Sequence, residues 1–334
     1  MLTEKENYMR VYNREKPEWV PRFGYASPGK APACVRVQPS FLNAHRQGFG
    51  GSDIWGVEYV GTKEMGGQAL PVPGKFLITD ITKWREILKA PDLSQMDWEE
   101  MAKKDMAHID RTQSAVMGAM HSGYFQALVN MMGYTEGLCA MYDEPEEVKA
   151  MLSYMCDFYC EVEKNLLKYY KPDIFNITDD CATALQPFIS VEMYREFIKP
   201  FHEREAALAR EAGIPIDMHC CGACTCFIDD WLEMGVTSWQ PAQIMNDLDA
   251  VRETYGDKLI FVGCWDSQGP AGWGGTAEAY VKQAVRDCID QNAKDGLFIF
   301  WASTYGAPDD PNFINQTRWI QEEYDSYGRT YYQK

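Results

Sequence analysis

At 334 residues the chain is long for one ordinary domain, yet within the span of a single α/β barrel. Apolar residues make up 46%, enough for a sizeable core, and no apolar run nears the ~18 residues of a membrane span, so no membrane association is expected. A net charge of −17 spread along the chain argues against nucleic acid as a partner, because phosphate binding needs clustered lysine and arginine.

The opening MLTEKENYMRVYNREKPEWVP is mixed in charge and lacks the basic start and apolar stretch of a signal peptide. It is expected to begin a cytoplasmic protein at its own start codon. The first 75 residues, rich in glycine, proline and aromatics, read as an irregular wrap over one end of the fold. Strands are expected near PRFGYA (21–26), at FLITDI (76–81) and at SAVMGAMH (114–121).

From about residue 171 the alternation is regular. DIFNITDD (173–180) precedes a helical stretch that Pro200 should bend or divide. IPIDMHCCG (214–222), TSWQP (237–241), KLIFVGCWD (258–266) and GLFIFWAS (296–303) follow, each separated by helical segments. Apolar strands alternating with helices mean βα units around a parallel sheet buried on both faces. Eight candidate strands predict a closed (β/α)8 TIM barrel in one domain over 1–334. An open doubly wound sheet is the runner-up, but no G-x-G-x-x-G follows the early strands.

The residues with chemistry fall at strand C-termini, where barrel active sites lie. Asp179 and Asp180 end one strand, His219, Cys220 and Cys221 the next, and Cys264, Trp265 and Asp266 a later one. Ser303, Thr304 and Tyr305 follow the last. His219 and Cys221 offer an imidazole nitrogen and a thiolate, ligand types that zinc prefers, and residues i and i+2 of a strand project to one side. Gly222 would let the chain turn directly afterwards.

Eleven cysteines without an export signal suggest thiols or metal ligands rather than disulfides, and four of them crowd positions 220–226. Cys221 and Cys224 also form C-x-x-C, a redox pattern, although no thioredoxin-like context surrounds it. Cys264 is the best additional thiolate by its strand-end position. Asp179 and Asp180 suit a general acid, a substrate anchor or a helix cap. His121 ends another strand and suits a polar binding or a structural role. With Trp239, Gln240 and Trp265 it is assigned to substrate binding. Trp301, inside an apolar run, reads as packing.

Together these segments resemble the uroporphyrinogen decarboxylase superfamily, in particular its corrinoid-dependent methyltransferase branch. The resemblance runs from TEKENYMRVYNREKPEWVP to PNFINQTRWI. It includes DEPEEVKAML, DIFNITDDCATALQPFISVEMYREFIKPFHE, the His-x-Cys-Gly of GIPIDMHCCG, and GDKLIFVGCWDSQGP with its Gly-x-x-Asp end. The resemblance implies a TIM barrel holding Zn2+ that moves a methyl group to or from a corrinoid (cobalamin-type) cofactor. That cofactor would be carried by a separate corrinoid protein.

It further implies His219 and Cys221 as metal ligands, with Cys264 as the third. Asp179 or Asp180 would orient substrate or manage a proton, and Tyr305 would hydrogen-bond a leaving oxygen. The chain departs from the thiol-methylating members, which supply a further cysteine after the last strand where this sequence reads STYGAP. It also lacks the arginine-rich N-terminal segment with which the decarboxylase holds substrate carboxylates. The expected function is therefore demethylation of a small methylated substrate, such as an aryl methyl ether. The alternatives are a methylcorrinoid:thiol methyltransferase, a decarboxylase, or a metal-free binding relative. A homodimer is one expected assembly.

Overall fold

The computed structural model describes residues 2–47, 50–61 and 69–333. Seven parallel strands form one curled sheet whose order follows the chain: β1 (Cys34–Val37), β6 (Ala115–Gly118), β7 (Ile174–Thr178), β8 (Ile216–His219), β9 (Val236–Ala242), β10 (Ile260–Cys264) and β11 (Phe298–Trp301). Between the first two of these, β2 (Arg46–Gln47), β3 (Gly50–Ser52), β4 (Glu58–Gly61) and β5 (Ala69–Pro71) make a separate antiparallel sheet. Strands β6 and β10 are buried at every residue, as their unbroken apolar runs require when helices cover one face and the strands curl around the other.

The expected α/β class holds, and six of the eight expected strands are present. Two expectations are corrected. FLITDI forms no strand: Ile78 and Ile81 bury as core residues of a connecting segment, and Asp80 instead caps a short helical turn by accepting from Thr82 N–H. PRFGYA contributes a single bridge, Arg22 beside Phe300, at the β11 edge. The seventh strand, β1, lies inside the supposedly irregular first 75 residues, which also hold the helix Glu4–Tyr12 and the antiparallel sheet. The closed eight-strand barrel is thus replaced, among the described residues, by a curled sheet of seven.

Pro200 divides the helical stretch as expected. One helix ends at Phe197, and the next, Lys199–Glu211, carries Pro200 in its first turn, where a missing N–H costs nothing. The interior of the curl holds a polar layer beneath the strand ends. Asp217 on β8 is fully buried and accepts from Asn176 Nδ2 at 2.8 Å, Ser238 Oγ at 2.6 Å and Gln240 Nε2. Burial pushes its carboxyl up to about 6 even so, because three neutral donors do not fully replace water around a carboxylate. No helix among the described residues is long and apolar enough to cross a membrane.

Candidate metal centre

The register of β7 against β8 builds the site. Thr178 pairs with His219, and Asp179 N–H donates to the His219 carbonyl at 2.9 Å. Two residues further along each strand, Asp180 and Cys221 therefore arrive side by side, and Cys221 N–H donates to Asp180 Oδ1 at 2.7 Å. His219, Cys221 and Asp180 face one space, with one candidate ligand atom from each all within 4.8 Å of one another. His219 Nε2 lies 3.5 Å from Cys221 Sγ and 3.7 Å from Asp180 Oδ1. The ligand atoms of a tetrahedral zinc with ordinary bond lengths lie roughly 3.4–3.6 Å apart.

The electrostatics suit a cation. Burial lowers the His219 pKa, which leaves the imidazole neutral with a lone pair available. Burial, followed by the Asp180 charge, raises the Cys221 thiol well above its usual range. A thiolate beside that carboxylate becomes favourable when a positive ion sits between them. Nitrogen, sulfur and oxygen donors in one half-buried cluster therefore fit zinc.

A prediction follows for zinc uptake. Cys221 gives up its proton on binding while His219, already neutral, gives none. The association constant should rise about tenfold per pH unit between pH 7 and 8.5, with one proton released per ion. Competition titration with a chromophoric chelator, alongside proton release into weak buffer, would measure both; a pH-independent constant would exclude Cys221 as a ligand.

Gly222 ends the cluster as expected. Its φ is +97°, and a Cβ there would lie 2.5 Å from the Thr183 carbonyl oxygen. Cys224 is buried and donates back to the Cys220 carbonyl, which takes it away from a C-x-x-C redox partnership with Cys221.

The cluster opens on a pocket of about 280 Å³. Trp265 and Tyr305 line it as the sequence suggested, and so do Ser303 and Thr304. Trp301, expected as packing, also lines it, its ring centroid 6.5 Å from that of His219. Gln243 and Ser267 are lining residues that sequence reasoning missed. Both sit in loops just past strand ends, and that position was their only signal.

Four other assignments change. Cys264 does not join the cluster. Backbone φ values of +110° at Gly263 and +56° at Cys264, with a register shift against β9, break the strand's alternation. Its thiol lies in a crevice against the helix Glu278–Asn292, and burial raises it to about 12. Asp180 stands in its place as the third ligand.

Asp179, one residue out of phase with Asp180, points the other way. It is 1% exposed and accepts from the backbone N–H groups of Tyr124, Phe125 and Gln126 at 2.8, 2.9 and 3.1 Å. It thus caps the helix Tyr124–Met132, and its catalytic assignment is replaced by a structural one. Trp239 is fully buried, donates to the Cys220 carbonyl at 3.2 Å and packs on Trp231 and Phe261. Gln240 is spent on Asp217 in the polar layer. Neither lines the pocket.

His121 is held at both nitrogens, accepting from Gly123 N–H at 2.9 Å through Nδ1 and lying 2.7 Å from Glu205 Oε1 through Nε2. Its ring edges a neighbouring polar pocket that also contains Arg36 and Arg46.

With this geometry in place, comparison with known proteins is specific. The uroporphyrinogen decarboxylase (URO-D) family model matches residues 83–308, about two thirds of the chain. The chain belongs to the uroporphyrinogen decarboxylase family. The matched span runs from ahead of β6 to just past β11, so it contains all three cluster residues and the loop of Tyr305.

Among solved structures, a methyltransferase from Methanosarcina mazei superposes with a TM-score of 0.66 at 14% identity, covering 97% of this chain and 100% of that one. At that identity the likeness shows a shared fold. No curated protein matches the sequence. Uroporphyrinogen decarboxylase family membership leaves the chemistry to the site.

Proposed function

We propose that this protein is the substrate-demethylating methyltransferase of a corrinoid system. It would be one domain closing as a (β/α)8 barrel and acting in the cytoplasm with a separate corrinoid protein. The observation that carries this reading is the nitrogen, sulfur and oxygen triad of His219, Cys221 and Asp180, open on one side to a pocket. A structural zinc site is normally closed by four protein ligands, whereas a three-ligand site leaves a position for substrate.

Zinc held there would supply Lewis acidity to the ether oxygen of a methyl donor. The chain's residues supply the rest. Trp265 and Trp301 wall the pocket and exclude water. Tyr305 at the rim offers a phenol to the oxygen on which the electron pair is left when the oxygen–methyl bond breaks. The methyl group passes to reduced corrinoid on the partner protein.

Thiol methylation is the weaker reading, since Ser303, Thr304 and Tyr305 stand where the further cysteine would be. The test is incubation with a reduced corrinoid protein and methylated ethers, amines and thiols, read as methyl–cobalt absorbance. An ether-dependent signal is expected, and silence across all three classes would remove the proposal. A protein that binds no metal yet retains small molecules would instead be a non-catalytic relative.

A further inference from the structure

We infer that the methyl donor is a neutral aromatic ether whose ring lies in the groove between the antiparallel sheet and the helix Tyr124–Met132. The inference rests on the demethylase reading and adds to it where the body of the substrate sits and what charge it carries. The groove encloses about 520 Å³, within the range of small-molecule sites. One wall is the segment from Leu70 to Phe76, stiffened by Pro71 and Pro73; the other is Val129 and Asn130, with Tyr134 beyond. Its inner end reaches Asp180, which also lines the pocket at the metal cluster, so the two spaces meet at one carboxylate.

Three large apolar side chains stay open around this groove: Leu70 at 48%, Phe76 at 44% and Tyr134 at 45% exposure. Apolar surface gathered at the mouth of a cavity is stabilised when a ligand removes it from water. The Phe76 ring reaches its position because residue 133 is glycine, where a Cβ would come within 2.7 Å of it.

Charge narrows the ligand further. No lysine or arginine is among the described residues lining the groove, and the one carboxylate there is Asp180 at its inner end. An anionic body would meet that negative charge without a counter-ion, whereas a neutral ring meets no penalty. A ring seated between Leu70 and Val129 directs a methoxy substituent towards Asp180, His219 and Cys221. The adjoining pocket with Arg36 and Arg46 is where a carboxylated donor would bind instead.

The test measures equilibrium binding of 2-methoxyphenol and of 4-methoxybenzoate to the zinc-loaded full-length protein. It compares the native chain with the double variant Leu70→Glu/Phe76→Ala and with Arg36→Ala. Both groove positions are about half exposed, so the fold should tolerate the changes, and zinc content checks this. Expected are binding of 2-methoxyphenol, its weakening at least tenfold in the double variant with zinc unchanged, and recovery in Leu70→Met/Phe76→Tyr. Three results would each overturn the ring subsite: no binding of 2-methoxyphenol, equal binding in the double variant, or preferred binding of 4-methoxybenzoate that is lost in Arg36→Ala. If methyl–cobalt still forms from some donor in those cases, the demethylase reading stands while the subsite falls.

Discussion

Replacing His219 or Cys221 by alanine is expected to weaken zinc binding at least ~100-fold, while Cys264→Ala leaves both affinity and stoichiometry unchanged. Loss of even an outer-shell partner typically costs 10–100-fold in metal affinity, so removal of one of three direct donors sets that loss as a lower bound. The null expectation for Cys264 follows from its place. Its thiol is buried in the crevice against the helix Glu278–Asn292, where Cys288 Sγ reaches the Cys264 carbonyl at 3.5 Å. Elemental analysis of protein purified under reducing conditions, followed by chelator competition, ranks the variants. If Cys264→Ala lost zinc as His219→Ala does, the assignment of Asp180 as third ligand would be wrong.

The contrast between these two cysteines also shows what could be read before folding. His219 and Cys221 are two apart at a strand end, and strand periodicity alone puts them on one side. Cys264 ends β10 in the same way, yet two consecutive positive φ values turn it outward, and those arise from how β10 meets β9 rather than from the spelling of FVGCWD. Asp180 was legible as a strand-end acid. Its partnership with Cys221 was not, because that depends on which residue of β7 lies opposite His219.

The sheet divides similarly. Six strands announced themselves as long apolar runs between helices. The CVRV of β1 is too short and too polar for that signal, and its neighbour in the sheet, β6, lies 80 residues away. FLITDI has the composition of a strand but finds its burial as a connector, with the Ile78 N–H given to the Met131 carbonyl rather than to a ladder. Composition could say that these residues are buried. Only the partners decide in what form.

Adjacent carboxylates with opposite jobs give the second large effect. Asp179→Ala should destabilise the apoprotein by about 3–5 kcal/mol, the cost of leaving buried polar partners behind. Three backbone N–H groups at the start of the helix Tyr124–Met132 would lose their acceptor, and His202 Nε2, 3.2 Å from Asp179, would lose its neighbouring charge. Gly123, whose added Cβ would lie 2.2 Å from the Asp179 carboxyl carbon, shows how closely the chain is fitted around that side chain.

Asp180→Ala should change apoprotein stability by no more than about 1 kcal/mol, because its side chain is 38% exposed and accepts one backbone N–H. Zinc affinity, in contrast, should fall with Asp180 and survive in any Asp179 variant that remains folded. Urea denaturation of metal-free protein separates the first pair of outcomes, and chelator competition on folded protein separates the second. Equal loss of stability in both variants would mean that Asp180 is also a structural cap. Equal retention of zinc would mean that the carboxylate of the centre comes from elsewhere. The alternation of a single strand end, one acid turned inward to a helix and the next turned to the mouth, predicts neither.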